Sequence, residues 1–83
     1  MKSKDITPRN EKGEAHGSWE YYYFNGNLWY KGNFVDGKQH GYWEEYWSNG
    51  QLLSKGNYIN GKQIGYWESY HYNGKLKSKI YYI

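Results

Sequence analysis

The chain has 83 residues and a formal net charge of +3 at pH 7, as expected for one small domain with a mildly basic surface. Its twelve Tyr, five Trp and two Phe argue against intrinsic disorder, because disordered chains are poor in aromatic residues. The absence of cysteine excludes a disulfide framework and thiolate chemistry, and the small charge permits an acidic partner without requiring one.

Residues 1–12 are predicted to form a flexible N-terminal arm. They are polar up to about Asn10, contain the only proline of the chain, Pro8, and match no repeat over that stretch. Residues 11–15 align with residues 35–39 and are interpreted as the remnant of a leading repeat. The start lacks the apolar segment of a secretory signal, and no apolar run approaches the roughly 20 residues of a membrane span. Together with the lack of cysteine, these features predict a soluble, cytoplasmic protein.

Three copies of a 24-residue unit follow the arm. The motif Gly-x-Trp-x-x-Tyr-x-x-Asn-Gly-x-Leu starts at Gly17 and returns at Gly41 and Gly65. A constant period over most of a chain is typical of a repeat architecture, in which each unit is one supersecondary element. The regular region is predicted to span residues 13–83. Its repeats cover about residues 16–39, 40–63 and 64–83.

Turn dipeptides divide each repeat into two strands. Runs of about ten residues rich in Tyr and Trp separate the turns, and these residue types favour β-strands. Asn-Gly and Asp-Gly favour tight hairpin turns. The sequence therefore predicts an all-β fold, a single-layer up-and-down antiparallel meander of about six strands built from 24-residue β-hairpin repeats. The turn dipeptides are Lys12-Gly13, Asn25-Gly26, Asp36-Gly37, Asn49-Gly50, Asn60-Gly61 and Asn73-Gly74.

The register of each hairpin follows from its turn. If Asn25-Gly26 is a two-residue turn, residues whose numbers sum to 51 face each other, which places Trp19 opposite Gly32 and, one repeat later, Trp43 opposite Gly56. An indole that lies over the facing glycine would fill the space of its missing side chain. The same register predicts cross-strand ion pairs worth a few tenths of a kcal/mol each. They are Glu20–Lys31, Glu44–Lys55 and Glu68–Lys79.

Alternation along the strands assigns side chains to two faces. The more apolar face is the predicted core, and the other carries the Glu–Lys pairs with Tyr22, Tyr46 and Tyr70. These tyrosines, with the Trp and Leu of the motif, form the predicted structural repeat core. A bulge near the Trp-x-x-Tyr step would shift part of this assignment. The predicted core face carries Trp19, Trp43, Trp67, Leu28, Leu52, Leu76, Phe34, Tyr58 and Tyr82.

The motif, with the Gly-Asn-Tyr/Phe and Asp/Asn-Gly-Lys-Gln segments after it, resembles the MORN repeat, and more closely the bacterial variant in antitoxin-like repeat proteins. The resemblance covers residues 13–83. It implies an elongated, twisted antiparallel sheet that acts as an interaction scaffold or dimerisation module, with phospholipid binding proposed for the family. The chain has fewer repeats than most relatives and no attached catalytic domain. Its last repeat ends in residues 79–83, where a more apolar strand replaces Gly-Asn and resembles a cap or a pairing edge.

No residue pattern predicts catalysis, a cofactor or a metal site. The recurring glutamates each have a predicted lysine partner, so cross-strand pairing accounts for them. His16 and His40 occupy a slot that Ile64 fills in the third repeat, which indicates packing, and no cysteine or carboxylate trio completes a metal site. His71 occupies the repeat position of Tyr23 and Trp47 and is interpreted as a surface aromatic residue. The Gly-x-Gly patterns precede no helix that could bind phosphate. The chain is therefore predicted not to be an enzyme.

A single-layer sheet has no second layer to cover its aromatic faces, and exposed apolar patches usually mark interaction surfaces. Stacking along the sheet accounts for the aromatic residues that every repeat contains. Aromatic residues that the repeat does not require are instead predicted to contact a partner, because Trp and Tyr are enriched at binding hot spots. The predicted partner-binding residues are Tyr21, Tyr23, Trp29, Tyr30, Trp47 and His71.

We therefore expect a non-catalytic protein-protein interaction module. It would bind a partner protein as an inhibitor, an antitoxin-like masking protein or a scaffold, or form a homodimer through a sheet face or the C-terminal edge strand at residues 77–83. One alternative is single-stranded nucleic-acid binding, with bases stacked on Tyr and Trp and phosphates held by lysines. The other is peripheral association with anionic phospholipids. The candidate phosphate-binding residues are Lys31, Lys38, Lys55, Lys62, Lys75, Lys77 and Lys79.

Overall fold

Six antiparallel strands form one open sheet in the computed structural model, which describes residues 4–83. Neighbouring strands in the sheet are consecutive in the chain, so the predicted up-and-down meander is confirmed. The molecule measures 40 × 38 × 10 Å, and its smallest dimension is that of one sheet with its side chains. The strands are β1 Gly17–Tyr22, β2 Leu28–Val35, β3 Lys38–Tyr46, β4 Leu52–Ile59, β5 Lys62–Tyr70 and β6 Leu76–Tyr82.

The turns between successive repeats are tight two-residue turns. Val35 pairs directly with Lys38, which leaves only Asp36 and Gly37 in the turn. Both have positive φ, at 47° and 84°, and this combination defines a type I′ turn. The Asn60-Gly61 turn has the same form, with φ of 50° and 82°. Asp-Gly and Asn-Gly suit these positions because both residues tolerate the left-handed region.

The turns within a repeat are wider than predicted. The Tyr23 N–H donates to the Asn27 carbonyl at 2.8 Å, and the Gly26 N–H donates to the Tyr23 carbonyl at 2.9 Å. The loop therefore has three residues, and of these only Gly26 has positive φ. The Asn25 Oδ1 accepts a hydrogen bond from the Asn27 N–H at 2.9 Å, which holds the asparagine in the first part of the turn. The prediction of a two-residue Asn25-Gly26 turn was wrong for this reason.

A β-bulge next to this loop restores the predicted register. Tyr22 pairs with Leu28, whereas Tyr21 pairs with Tyr30, so Trp29 is an extra residue in β2. Beyond the bulge, Glu20 faces Lys31 as predicted. The longer loop shifts the pairing by one residue and the bulge shifts it back. The other two hairpins contain the same irregularity, and the predicted pairing of their strand bodies is confirmed.

The bulge moves the repeat leucines to the opposite face from the one predicted. Leu28 pairs with Tyr22 and therefore shares its side of the sheet. Leu52 and Leu76 pair in the same way with the equivalent tyrosines. The assignment of Leu28, Leu52 and Leu76 to the tryptophan side was wrong, because it assumed unbroken alternation. We call the side with Trp19, Trp43 and Trp67 the tryptophan face, and the side with Glu20, Glu44 and Glu68 the glutamate face.

Three tryptophans are the buried core of the described residues, with exposed fractions of 8% for Trp19, 5% for Trp43 and 9% for Trp67. Trp43 lies over Gly32 in β2, where an added Cβ would stand 2.1 Å from the indole ring. Its Nε1–H donates to the Asn33 carbonyl at 3.0 Å. The second and third repeats therefore use their tryptophans to pack against the preceding hairpin.

The predicted cover of Gly56 by Trp43 was wrong, although the two residues do face each other. Residues 41–43 together lie opposite Gly32 alone, because the register shifts between Lys31 and Asn33. Gly41 has φ of 83°, which lets β3 make this bulge. The bulge directs the indole backwards, and Gly56 is covered by Trp67 of the next repeat.

Residues 4–12, which belong to the predicted N-terminal arm, lie against the outer edge of β1. The Ile6 N–H donates to the Glu20 carbonyl at 2.8 Å, and the Glu20 N–H donates to the Ile6 carbonyl at 2.9 Å. The Trp19 Nε1–H donates to the Pro8 carbonyl at 2.8 Å. The Pro8 carbonyl thus accepts the indole hydrogen bond of Trp19, as the Asn33 carbonyl accepts that of Trp43. The rest of the predicted arm, residues 1–3, lies outside the described residues.

The outer edge of β6 is open. Within residues 4–83, β6 pairs with β5 and with no other strand. Leu76, Ile80, Tyr81 and Ile83 are all exposed along this edge. Ile80 takes the repeat position that Gly32 and Gly56 hold in the first two repeats.

Candidate interaction surface

Four of the predicted partner-binding residues form one aromatic cluster on the tryptophan face. Tyr21 and Tyr30 pair across β1 and β2, with ring centres 5.3 Å apart and planes 9° from parallel. Trp29, the extra residue of the bulge, lies 5.6 Å from Tyr21 and 5.0 Å from Tyr23 between ring centres. The bulge thus places two aromatic side chains side by side on one face. All four are partly exposed. We call Tyr21, Tyr23, Trp29 and Tyr30 the aromatic cluster.

The other two predicted binding residues lie outside this cluster. Trp47 packs against Tyr72 at 5.7 Å between ring centres, and its Nε1–H donates to the Tyr70 carbonyl at 3.1 Å. Tyr23 holds the same repeat position, and its hydroxyl donates to the Tyr46 carbonyl at 2.6 Å. This slot therefore ties each hairpin to the next, a structural role that the sequence prediction missed. His71, the third residue in the slot, is exposed.

A shallow groove of about 260 Å³ continues from the aromatic cluster along the tryptophan face. The ring of Trp43 lies among three others, with centres 5.7 Å away for Tyr30, 5.1 Å for Phe34 and 6.0 Å for Tyr58. The last two present their edges to the indole. Gln39, Glu45 and Ser54 contribute polar atoms to the lining.

Glu45 is a residue of this groove that sequence reasoning missed. It pairs with Tyr30 on one side and Ser54 on the other, which places it on the tryptophan face. The signal that could have found it is a break in the repeat, because the equivalent residues are Tyr21 and Ser69. Within the described part of the chain, its carboxylate has no hydrogen bond or ion pair.

The charge of Glu45 acts on the tyrosines around it. Burial raises the pKa of Tyr23, and the Glu45 carboxylate raises it further. Burial is also the main cause of the raised pKa of Tyr30 and Tyr58, to which Glu45 adds. The Glu45 charge is therefore a secondary cause, after burial, of the raised pKa of these three tyrosines.

The glutamate face carries a regular network of carboxylates, phenols and ammonium groups. Glu44 accepts hydrogen bonds from Tyr46 at 2.6 Å and Tyr42 at 2.9 Å. The ammonium group of Lys31 lies 3.8 Å from the Glu44 carboxylate. Lys31 and Lys55 therefore form ion pairs with the glutamate of the following hairpin, although each faces the glutamate of its own hairpin in register. Lys55 lies 3.7 Å from Glu68.

Of the three predicted ion pairs, Glu68–Lys79 is confirmed, at 3.7 Å. Glu20 and Lys31 face each other as predicted, but Glu20 accepts a hydrogen bond from the Tyr22 hydroxyl at 2.7 Å and Lys31 points to Glu44. Each inner lysine thus connects two hairpins, which register arithmetic within one hairpin could not show.

The network holds its groups in one protonation state near neutral pH. Partial burial raises the pKa of Glu44, but hydrogen bonds from Tyr46 and Tyr42 and the nearby lysine charges outweigh it and leave the pKa below its ordinary value. Burial and the hydrogen bond to Glu44 raise the pKa of Tyr42 and of Tyr46 to about 12. A hydrogen bond from Tyr70 lowers the pKa of Glu68. Groups held this way suit a structural role better than proton transfer.

His16 has a local polar partner. The Asp36 N–H donates to His16 Nδ1 at 3.1 Å, and the Asp36 carboxylate lies 3.4 Å from the same nitrogen. His40 faces Asn33 across β2 and β3. Within residues 4–83, no group of three or more His, Cys, Asp or Glu side chains is placed to hold a metal ion.

Comparison with known families identifies the repeat. The sequence model of the MORN repeat variant matches residues 15–36, 39–60 and 63–83. The chain belongs to this family. MORN repeats are commonly protein-binding or membrane-binding modules. A comparison with curated proteins finds no match. The described residues contain no helix long and apolar enough to cross a membrane.

Proposed function

We propose that this MORN-repeat protein is a non-catalytic interaction module that binds a partner protein through its tryptophan face. The observation that supports this proposal is the aromatic cluster. The positions of Tyr30 and Trp29 are filled by Ser54 and Leu53 in the second repeat and by Ser78 and Lys77 in the third. Two hairpins of the same fold therefore form without these aromatic side chains.

The chemistry of the cluster suits a protein interface. Trp and Tyr are large and stiff, lose little conformational entropy on binding, and dominate interface hot spots. The sheet extends 40 × 38 Å, so one face can supply the roughly 800 Å² that each partner contributes to a standard interface. Binding of this kind would serve an inhibitor, an antitoxin-like masking protein or a scaffold equally well.

A second copy of the chain is included among the partners we propose. It would dock on the tryptophan face or extend the sheet through the open edge of β6. Light scattering after size-exclusion chromatography distinguishes the two modes when wild type is compared with variants. Trp29→Ala would reduce a face-mediated dimer, whereas Tyr81→Pro, which blocks strand pairing at the edge, would reduce a dimer formed through β6.

The distribution of lysines favours a protein partner over nucleic acid or anionic phospholipid. Lys31, Lys55 and Lys79 lie on the glutamate face and form ion pairs there. The aromatic cluster lies on the other face. Proteins that bind single strands combine stacking rings and cationic groups in one groove, whereas these three lysines lie on the opposite face from the aromatic cluster.

The test is affinity capture from the source cell after nuclease treatment, at moderate and high salt, read by mass spectrometry. We expect one protein in near-stoichiometric amount that persists at high salt. Trp29→Ala with Tyr30→Ala should abolish its capture, because truncating hot-spot residues costs at least about 2 kcal/mol. The matched control is Tyr66→Ala, which removes a 65% exposed tyrosine from the glutamate face.

Two outcomes would contradict the proposal. Capture that survives the cluster variant but fails with Tyr66→Ala would place the interface on the other face. Recovery only of material that nuclease or salt removes would favour the polyanion alternatives.

A further inference from the structure

Glu45 stands out on the tryptophan face as a charged residue among aromatic and small polar ones. By the strand register, it is the only charged side chain that β1–β5 place on this face. The lysines of these strands lie on the other side, where Lys31 and Lys55 already have carboxylate partners. Glu45 is exposed and, among the described residues, forms no ion pair with any of them.

The groove beside Glu45 has the chemistry of a cation site. The rings of Tyr30, Trp43, Phe34 and Tyr58 surround it. Aromatic faces attract cations, and a carboxylate pairs with them by charge-assisted hydrogen bonds. With Glu45 on its rim, the groove combines both interactions.

The size and shape of the groove narrow the choice of cation. At about 260 Å³, it is smaller than pockets that hold drug-sized ligands and suits a single side chain. A guanidinium group is planar, stacks on aromatic rings and binds a carboxylate through two parallel hydrogen bonds, whereas an ammonium group is a strongly hydrated point charge.

We propose that the groove of Tyr30, Trp43, Tyr58 and Glu45 binds an arginine side chain of the partner protein. The guanidinium plane stacks on the ring of Tyr30, the residue that pairs with Glu45 across β2 and β3, and Glu45 accepts its hydrogen bonds. This inference rests on the proposed function, since it names the residue type that the partner presents to the tryptophan face. The role of Glu45 is separate from folding, because the other repeats have Tyr21 and Ser69 at its position.

The test does not require the partner. The ¹⁵N-labelled full chain is titrated with N-acetyl-arginine amide, and binding is followed by NMR at the Glu45 amide and the Trp43 indole N–H. Nα-acetyl-citrulline amide has nearly the same shape as the arginine compound but no charge. Nα-acetyl-lysine amide has a positive charge but no planar guanidinium group. We expect saturable shifts with arginine, at least about tenfold weaker binding of citrulline, and severalfold weaker binding of lysine.

Two variants assign the effect to Glu45. Glu45→Ser introduces the residue that the third repeat holds at this position, so the fold should persist, and arginine binding should weaken at least about tenfold. The control Glu11→Ser removes an exposed carboxylate outside the sheet and should bind arginine as the wild type does.

The proposal is overturned if arginine gives no saturable shifts, if citrulline or lysine binds as tightly as arginine, or if Glu45→Ser leaves the affinity unchanged. These outcomes are distinguishable from failure of the proposed function. If the chain binds arginine amide but captures no protein, the arginine site is supported and the proposed function is not. If the chain captures a protein but does not bind arginine amide, the proposed function is supported and the arginine site is not.

Discussion

The two outer edges of the sheet end the repeat stack in different ways. At β1, residues 4–12 pair with the edge, and the Pro8 carbonyl accepts the hydrogen bond of the Trp19 indole. At β6 the edge is open, and Ile80 stands where the inner repeats have glycine. At β1, residues 4–12 take the place of a preceding hairpin. At β6, the side chain of Ile80 occupies the position where a repeat tryptophan would lie over a glycine.

The difference shows what repeat packing in this sheet requires. A tryptophan can fold back onto the preceding hairpin only where that hairpin offers a glycine, because a Cβ at Gly32 or Gly56 would lie within 2.2 Å of the ring. Ile80 therefore excludes a further repeat that packs on β6 in the same way. The open edge is available to a strand that pairs through its backbone without inserting a tryptophan.

The largest effect is expected from Gly56→Ala. The new methyl group would displace Trp67, so we expect the free energy of unfolding to fall by about 3 kcal/mol, measured by chemical denaturation. The control is Ile80→Ala, at the same repeat position on the open edge. Because Ile80 is 48% exposed, the control should cost less than about 1.5 kcal/mol. Equal losses would contradict the role given to glycine.

Removal of residues 1–9 tests the covered edge. It deletes the backbone pairing of Ile6 with Glu20 and the partner of the Trp19 indole N–H. We expect a loss of about 2 kcal/mol, with faster amide exchange at Glu20 and a changed indole signal for Trp19. The matched comparison is removal of Ile83 at the open edge, which should change stability little. An unchanged Glu20 exchange rate in the shortened chain would show that the arm does not protect β1.

The smallest effect is expected from Tyr70→Phe, which tests how β6 is held to β5. The hydrogen bond from Tyr70 lowers the pKa of Glu68, the ion-pair partner of Lys79 in β6. A carboxylate with a lowered folded-state pKa stabilises the fold above its unfolded pKa of about 4.3, and this contribution is lost as pH falls through the folded pKa.

In Tyr70→Phe the free energy of unfolding should therefore fall less steeply as the pH is lowered. The measurement is denaturation at a series of values from about pH 6 to about pH 2, a range that covers the titration of glutamate. Tyr72→Phe is the control, since no hydrogen bond of its hydroxyl occurs within the described residues. A wild-type profile in Tyr70→Phe would show that the hydrogen bond from Tyr70 to Glu68 does not contribute to acid sensitivity.

The sequence was sufficient to predict the strands and most of their pairing. The 24-residue period located the hairpins, and the recurring Glu20 and Lys31 marked facing positions. Alternation failed at Leu28, because Asn25-Gly26 and Asp36-Gly37 are similar dipeptides that form different turns. The difference lies in the hydrogen bond that the Asn27 N–H donates to the Asn25 side chain and in the adjoining bulge, which are not apparent from the dipeptide.

The candidate site was harder to predict than the fold. The aromatic cluster could be identified because Trp29 and Tyr30 have no aromatic equivalents in later repeats. Tyr23 and Trp47 were grouped with them, although they also donate hydrogen bonds to the next hairpin. Glu45 was missed because its role depends on which face of the sheet it lies on. Only the structure shows that it lies on the opposite face from the lysines of β1–β5 and beside the rings of Tyr30 and Tyr58.

NMR mapping of the ¹⁵N-labelled chain with the captured partner shows which surface of the sheet the partner binds. If the partner binds the tryptophan face, as we propose, the Trp29 indole N–H and the amides of Tyr30 and Glu45 will change most, while the amides of Ile80 and Tyr81 stay unchanged. The largest changes at β6, with the Trp29 indole unaffected, would overturn this proposal and identify the open edge as the interface.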